Sequence, residues 1–247
     1  MGLLDAPAPQ PPDDFLLPFL RLPALRWLVG SWQRQTATQL TDDTLGENVI
    51  DIHNGPFSIR TNSNGVACAD LEGQSQGLII PASLSDVPAA GRSFTLIYIS
   101  EPIGAVPVKG IWKDFGSAAS FSLNVNNSAR GAFTIVSGGA DIRAQTASTA
   151  AGAGPYFLAG RWKPDNGVEN GEVYCRLNEQ TANAQTVANS IDASAQRVGV
   201  ATRTNQSSVA SEFSDERFAL AAWIDGYLSN DHLEALYRHA LKFGYAQ

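Results

Sequence analysis

With 247 residues, 44% of them apolar and only 17% charged, the chain can bury a sizeable core as one large all-β domain or two smaller ones. A net charge of −7, with Lys and Arg scattered, excludes a nucleic-acid binder that tracks phosphates, because such proteins need clustered cations. Cys68 and Cys175 lie far apart without a CxxC spacing or a His companion, which excludes a zinc knuckle and a disulfide framework. Two buried thiols are the simpler expectation, and the sequence leaves their pairing open.

"MGLLDAPAPQ" has neither the positive start nor the continuous apolar stretch of a signal peptide. The next segment, "DDFLLPFLRLPALRWLVGSW", is apolar through Phe15, Leu16, Leu17, Phe19, Leu20, Leu22, Leu25, Trp27, Leu28 and Trp32. Pro18, Pro23, Arg21 and Arg26 interrupt it, so it is no membrane span. We expect "PDDFLLPFL" to be extended and "PALRWLVGSW" to form a helical turn. Burying these side chains does not outweigh the entropy of ordering the segment, so it must dock on its own sandwich or on a neighbour. Residues 1–45 are therefore expected to be an anchoring arm, and residues 46–247 a β-sandwich.

From about residue 46 short alternating runs follow one another, among them "SFTLIYIS", "VPVKGIWK", "FSLNVN", "GAFTIVS", "DIRAQTAS" and "RFALAAWIDG". They are separated by turn-rich pieces such as "NSNG", "SGGAD" and "PDNGVENG". Many short strands without intervening helices predict a β-sandwich or barrel. "SFTLIYIS" is apolar on both faces and should be central. In "FSLNVN", Phe121, Leu123 and Val125 face in, leaving Ser122, Asn124 and Asn126 outward. The closing segment "LSNDHLEALYRHALKFG" has helical spacing at Leu233, Leu236, Tyr237, Ala240 and Leu241, with Ser229 as N-cap and Gly244 as stop.

Four pieces in order resemble the concanavalin A-like lectin/glucanase superfamily, in its laminin G-like and pentraxin-like branch. "SFTLIYIS" is similar to the central strand, and "YFLAGRWKPDNGVENGEVYCRLN" to a strand–turn–strand unit. "QRVGVATR" is similar to the strand that follows, and "RFALAAWIDGYLSNDHLEALY" to the closing strand and helix start. The likeness runs over residues 46–243 and is strongest over 92–243. Asn178 is followed by Glu179 where the family's hairpin has Asn-Gly, and Ala219 or Ala221 replaces a common Gly. The resemblance implies an all-β concanavalin A-like sandwich (jelly roll), with an extended N-terminal arm and one short C-terminal helix.

The carboxylate spacing that glucanases of this superfamily use is missing. Retaining hydrolysis needs two carboxyl groups about 5 Å apart, and the nearest cluster, Glu212, Asp215 and Glu216, reads as a solvated turn. His53, His232 and His239 have no evident nucleophile partner, and no G-x-S-x-G elbow, phosphate loop or H-E-x-x-H is present. Calcium is the one cofactor the resemblance implies. "PDNGVENGE" offers Asp165, Asn166, Asn170 and Glu172 as oxygen donors, outside EF-hand spacing, and a plain hairpin turn accounts for the same residues. Trp112, Asn124, Asn126 and Arg143 are the candidates for sugar contact. By analogy with sandwich domains in phage tails, baseplates and capsids, the chain is expected to be a non-enzymatic virion protein, assembled in the host cytoplasm. Residues 13–32 would hold it to other virion proteins or to copies of itself, and the sandwich would be displayed toward surface glycans. A free lectin-like module and a glycoside hydrolase are the alternatives.

Overall fold

The computed structural model describes residues 13–30, 36, 39–41, 44, 48–71, 76–87, 92–103, 108–113, 120–147, 154–182, 184–187, 191–192, 196–204 and 210–247. Helix α1 (Asp13–Leu20) is followed by β1 (Leu25–Val29), β2 (Gln39–Thr41), β3 (Val49–His53), β4 (Ser58–Thr61), β5 (Ala67–Leu71) and β6 (Gly77–Ile79). The short α2 (Ala82–Ser85) precedes β7 (Phe94–Pro102), β8 (Val108–Lys113), β9 (Phe121–Val125), β10 (Gly131–Ser137) and β11 (Ala140–Gln145). Next come β12 (Tyr156–Lys163), β13 (Gly171–Leu177), β14 (Gln180–Thr181), β15 (Gln185–Val187) and β16 (Val198–Val200). The chain closes with β17 (Thr202–Thr204), β18 (Ala210–Phe213), β19 (Glu216–Ile224) and α3 (Asn230–Lys242).

These strands form the expected β-sandwich. Sheet A runs β14-β13-β12-β7-β19-β5-β4, with β1 also on β19 and β15 on β13. Sheet B runs β11-β10-β9-β8-β16-β6-β3-β2, and β17–β18 form a separate ribbon. Strand β7 is buried along its whole length, as its two apolar faces require. Phe94, Leu96 and Tyr98 enter the core between the sheets. Ile97 and Ile99 enter a second apolar layer on the outer side of sheet A.

Helices α1 and α3 cover that second layer. The Ser229 side chain caps α3 by accepting from the His232 N–H, and Gly244 follows the helix at φ 77°. Arg176 ties the helix down through Glu234 at 2.6 Å and lies over the Tyr237 ring. Gly244 can take that φ because it has no Cβ, so the chain turns back and Tyr245 N–H donates to the Ala240 carbonyl.

The N-terminal segment reverses the conformations expected of it. "DDFLLPFL" is helical despite Pro18, and "LRWLV" is a strand. A helix this short with an internal proline is unstable in isolation, so docking holds it. Phe15 and Phe19 are fully buried, with Phe15 packed against Phe19, His239, Phe243 and Tyr245. The His239 Nε2 lies 3.1 Å from the Phe15 carbonyl oxygen.

Strand β1 pairs with β19 from Leu25↔Ile224 to Val29↔Ala221. A two-pronged Arg26–Asp225 ion pair, at 2.9 and 3.0 Å, fastens it there. Phe15, Leu16, Phe19, Trp27 and Leu28 are thus consumed by this chain's own cores, and Leu22 and Leu25 pack against the second one. This corrects the expectation that they reach into a partner. Leu17 and Leu20 remain exposed. Trp32 and the expected domain junction at residues 45–46 lie outside the described residues.

One further correction concerns an ionisable group. Glu216 is wholly buried rather than part of a solvated turn, whereas Asp215 is exposed; the Glu212 side chain lies outside the described residues. Burial raises the Glu216 carboxyl to about 7, and the neighbouring polar side chains of Ser100, Tyr98 and Ser214 oppose part of that rise. Cys68 and Cys175 are both free. Their thiols belong to the two different apolar layers, and burial pushes both upward.

Candidate functional site

Helices α1 and α3 pack on sheet A, and on the outer face of sheet B strand pairing aligns a set of polar side chains. Trp112 on β8 stands opposite Ser122 on β9, Ser122 opposite Thr134 on β10, and Thr134 opposite Arg143 on β11. At ordinary strand spacing this row is about 14 Å long, with an indole at one end and a guanidinium at the other.

Two local devices set the row. The β10–β11 hairpin turns through Gly138 and Gly139 at φ 60° and 76°, the backbone of a tight two-residue turn. Both glycine N–H groups donate to the Asp192 carboxylate, at 2.9 and 2.8 Å. That turn pairs Ser137 with Ala140 and so brings Thr134 opposite Arg143.

The second device is a bulge on β8, where Gly110 has φ 58° and the register against β9 slips between Val108 and Ile111. A Cβ on Gly110 would lie 2.1 Å from the Leu123 carbonyl oxygen, so only glycine fits. Val108 and Ile111 both face the inter-sheet core although they are three positions apart. The extra residue restores their inward phase, and Trp112 turns outward as a result.

Around the row lies a cleft of about 480 Å³, which Asn124, Asp141 and Arg203 also line. Its size is that of a small-molecule or oligosaccharide site. The Arg143 Nε donates to Oγ1 of the buried Thr134 at 3.0 Å, and the Asn124 amide donates to Ser122 Oγ at 3.1 Å. The Arg203 guanidinium is 5.7 Å from the Trp112 ring centroid, within cation–π range. The side-chain oxygen of Asn126 is committed to its own turn, accepting from the Ser128 and Arg130 N–H groups.

Trp112, Asn124, Asn126 and Arg143, the four residues singled out for sugar contact, all line this one cleft. Reading the sequence missed Thr134, Asp141 and Arg203. The Gly138–Gly139 turn carries enough register information to find the first two. Arg203 arrives on the separate ribbon, and no local pattern announces it.

The residues proposed for calcium do not converge. Asp165 Oδ1 accepts from the Gly167 N–H at 2.7 Å, and Asn166 Oδ1 accepts from Val168 and Glu169. These are turn-closing bonds, and Asn170 is exposed at the tip. Glu172 instead accepts from the Tyr227 hydroxyl and lies 4.0 Å from Arg161. Among the described residues no three His, Cys, Asp or Glu side chains gather to hold a metal, and no helix is long and apolar enough to cross a membrane.

Glu172 belongs to a second cleft, of about 450 Å³, at the edge of sheet A. Arg161 lies at its base, with ring centroids of Tyr174 at 3.8 Å and Tyr227 at 4.4 Å, and donates to the Leu228 carbonyl at 2.6 Å. Burial lowers the Arg161 pKa. These contacts fix the turn from β19 into α3, which gives the arginine a structural task. The three histidines are likewise spread through the structure, His53 against Phe213, His232 at the α3 cap and His239 within α3 against Phe15 of α1.

No protein-family model matches the sequence, and no curated protein matches it. Solved structures do. Domain 4 of AbnA, a GH43 extracellular arabinanase from Geobacillus stearothermophilus solved with arabinotriose, superposes with a TM-score of 0.59 at 14% identity, over 86% of this chain and 98% of that one. Trypanosoma rangeli sialidase, in complex with 2,3-difluorosialic acid, gives 0.59 at 11% identity, over 91% of this chain and 34% of the enzyme. A chain of botulinum neurotoxin type C, whose cell entry depends on interaction with two ganglioside molecules, gives 0.56 at 11% identity, over 86% and 51%. The protein thus spans about a third of the sialidase and half of the toxin chain. What it shares with all three is the β-sandwich fold.

Proposed function

We propose that the protein is a lectin-like module that binds glycans, without catalysis, in the cleft on the outer face of sheet B. The observation that carries this reading is the aligned row Trp112–Ser122–Thr134–Arg143. Sugars present apolar ring faces and dense hydroxyls, and the cleft offers an indole at one end of the row, a guanidinium at the other and the Asn124 amide between them. The fold shared with a domain solved with arabinotriose and with a ganglioside-dependent toxin supports the reading. So does the absence, among the sequence's acidic clusters, of the carboxylate spacing that glucanases of the superfamily use. The test is a glycan array followed by titration of the strongest ligand. Binding should weaken at least tenfold in Trp112→Ala, and hydrolysis of the bound glycan would refute the non-catalytic part.

Display on a virion is the wider reading. Leu17 and Leu20, the anchor residues left exposed on α1, support an attachment narrower than the whole arm. Incorporation of a Leu17→Ser/Leu20→Ser variant into particles at the normal level would refute attachment through this helix.

A further inference from the structure

We infer that the cleft prefers acidic oligosaccharides, those bearing a carboxylate or a sulfate, and that Arg143 is the residue that reads the charge. The inference rests on the glycan-binding reading above and deepens it.

Arg143 is exposed on β11, yet it is not a loose surface arginine. Its Nε is tied at 3.0 Å to Oγ1 of Thr134, a residue only 1% exposed. That single bond fixes the plane of the guanidinium, and its two Nη groups have no other polar partner among the described residues. A planar fork held from behind, with its outer donors unused, suits two parallel hydrogen bonds to an oxyanion. Because the fork is already oriented, less side-chain entropy is lost on binding.

The setting agrees with this assignment. The chain carries a net charge of −7, so no general positive field draws anions in; the attraction must be local. Two arginines and one carboxylate line the cleft, together with neutral amides and hydroxyls. The carboxylate, Asp141, lies two positions from Arg143 on the same face of β11, so a second anion placed beside the first would meet it. The arrangement therefore favours a sparsely charged glycan over a polyanion. Trp112, at the far end of the row, would cover a ring face of a neighbouring sugar, so charge and ring are read about 14 Å apart.

The experiment uses the full chain and probes that differ only in charge. Oligogalacturonate and its methyl ester test the carboxylate, and a sulfated galactan oligosaccharide and its desulfated form test the sulfate. At low ionic strength at least one acidic member should bind about tenfold or more tightly than its neutral counterpart. Arg143→Gln should abolish that difference, the acidic member losing about tenfold more affinity than its neutral counterpart. Raising the salt should weaken the acidic member selectively.

Equal binding within each pair, lost in Trp112→Ala, would overturn the charge preference and leave the glycan reading standing. No binding to any of the four probes or to an array of neutral glycans would overturn both. A preference that persists in Arg143→Gln would reassign the anion to Arg203, and the inference about Arg143 would fall.

Discussion

The outer faces of the two sheets share one core but treat their exterior differently. Sheet A sends Ile97, Ile99, Phe157 and Leu220 outward, and these must be covered. Helices α1 and α3 do so, forming a second apolar layer. Sheet B sends Trp112, Asn124 and Arg143 outward, and these need no cover. In a sandwich the inner alternate residues secure the fold, and the outer ones decide whether a sheet is closed or open to a ligand. Apolar outer residues close sheet A; polar ones leave sheet B available.

This contrast breaks if the covered face is not the more fragile one. Phe15→Ala, which removes a fully buried ring among Phe19, His239, Phe243 and Tyr245, should cost about 3–5 kcal/mol by chemical denaturation. Trp112→Ala, on the open face, should cost about 1 kcal/mol or less while weakening glycan binding at least tenfold. If the two variants lose similar stability, the distinction between a structural and a displayed face is wrong.

The next effect sharpens the contrast through pH. Glu216 is buried at the start of β19, and its carboxyl is raised from the usual 4.5 to about 7. The folded state therefore keeps its proton where the unfolded state has lost it. Its favourable contribution is complete below about pH 4.5 and is lost as pH rises through about 7, a change of about 3 kcal/mol. Glu216→Gln should match the parent at pH 4 and melt at a higher temperature at pH 8. No change in the difference between the two pH values would show that the carboxyl is solvated. Glycan affinity should be unaffected, because Glu216 is not part of the sheet B cleft.

A smaller loss is expected at the bulge. Gly110→Ala meets both the positive φ and the Leu123 carbonyl, and should destabilise by about 1–3 kcal/mol while weakening glycan binding through Trp112. Unchanged binding with a normal melting temperature would mean that the bulge does not position the indole. The smallest effect belongs to Leu17→Ser, on the exposed side of α1, which should shift stability by no more than about 0.5 kcal/mol.

Much of the sandwich was legible because alternation is a local signal. Phe121, Leu123 and Val125 do face the core, and the α3 cap at Ser229 forms as read. What escaped depended on tertiary context. Pro18 argues against a helix until Phe15 and Phe19 find a surface. Glu216 sits beside a turn, where a carboxylate is ordinarily solvated, yet it faces inward at the end of the sheet. Asp165 and Asn166 carry the right oxygens for a cation, but the turn uses them itself. The grouping of Trp112, Asn124 and Arg143 was seen as a set of residue types. The row that joins them depends on cross-strand register, and on β8 the bulge hides that register from any count by twos.

That bulge makes Gly110 a phase shifter between interior and exterior. Paired without the bulge at the same chain length, strict alternation from Val108 would turn Ile111 toward water and Trp112 toward the core. Deleting Gly110 would instead leave Ile111 and Trp112 in their present phase, because Val108 and Ile111 would then stand two positions apart. The identity of the displayed face depends on one unpaired residue as much as on any side chain that would touch a sugar.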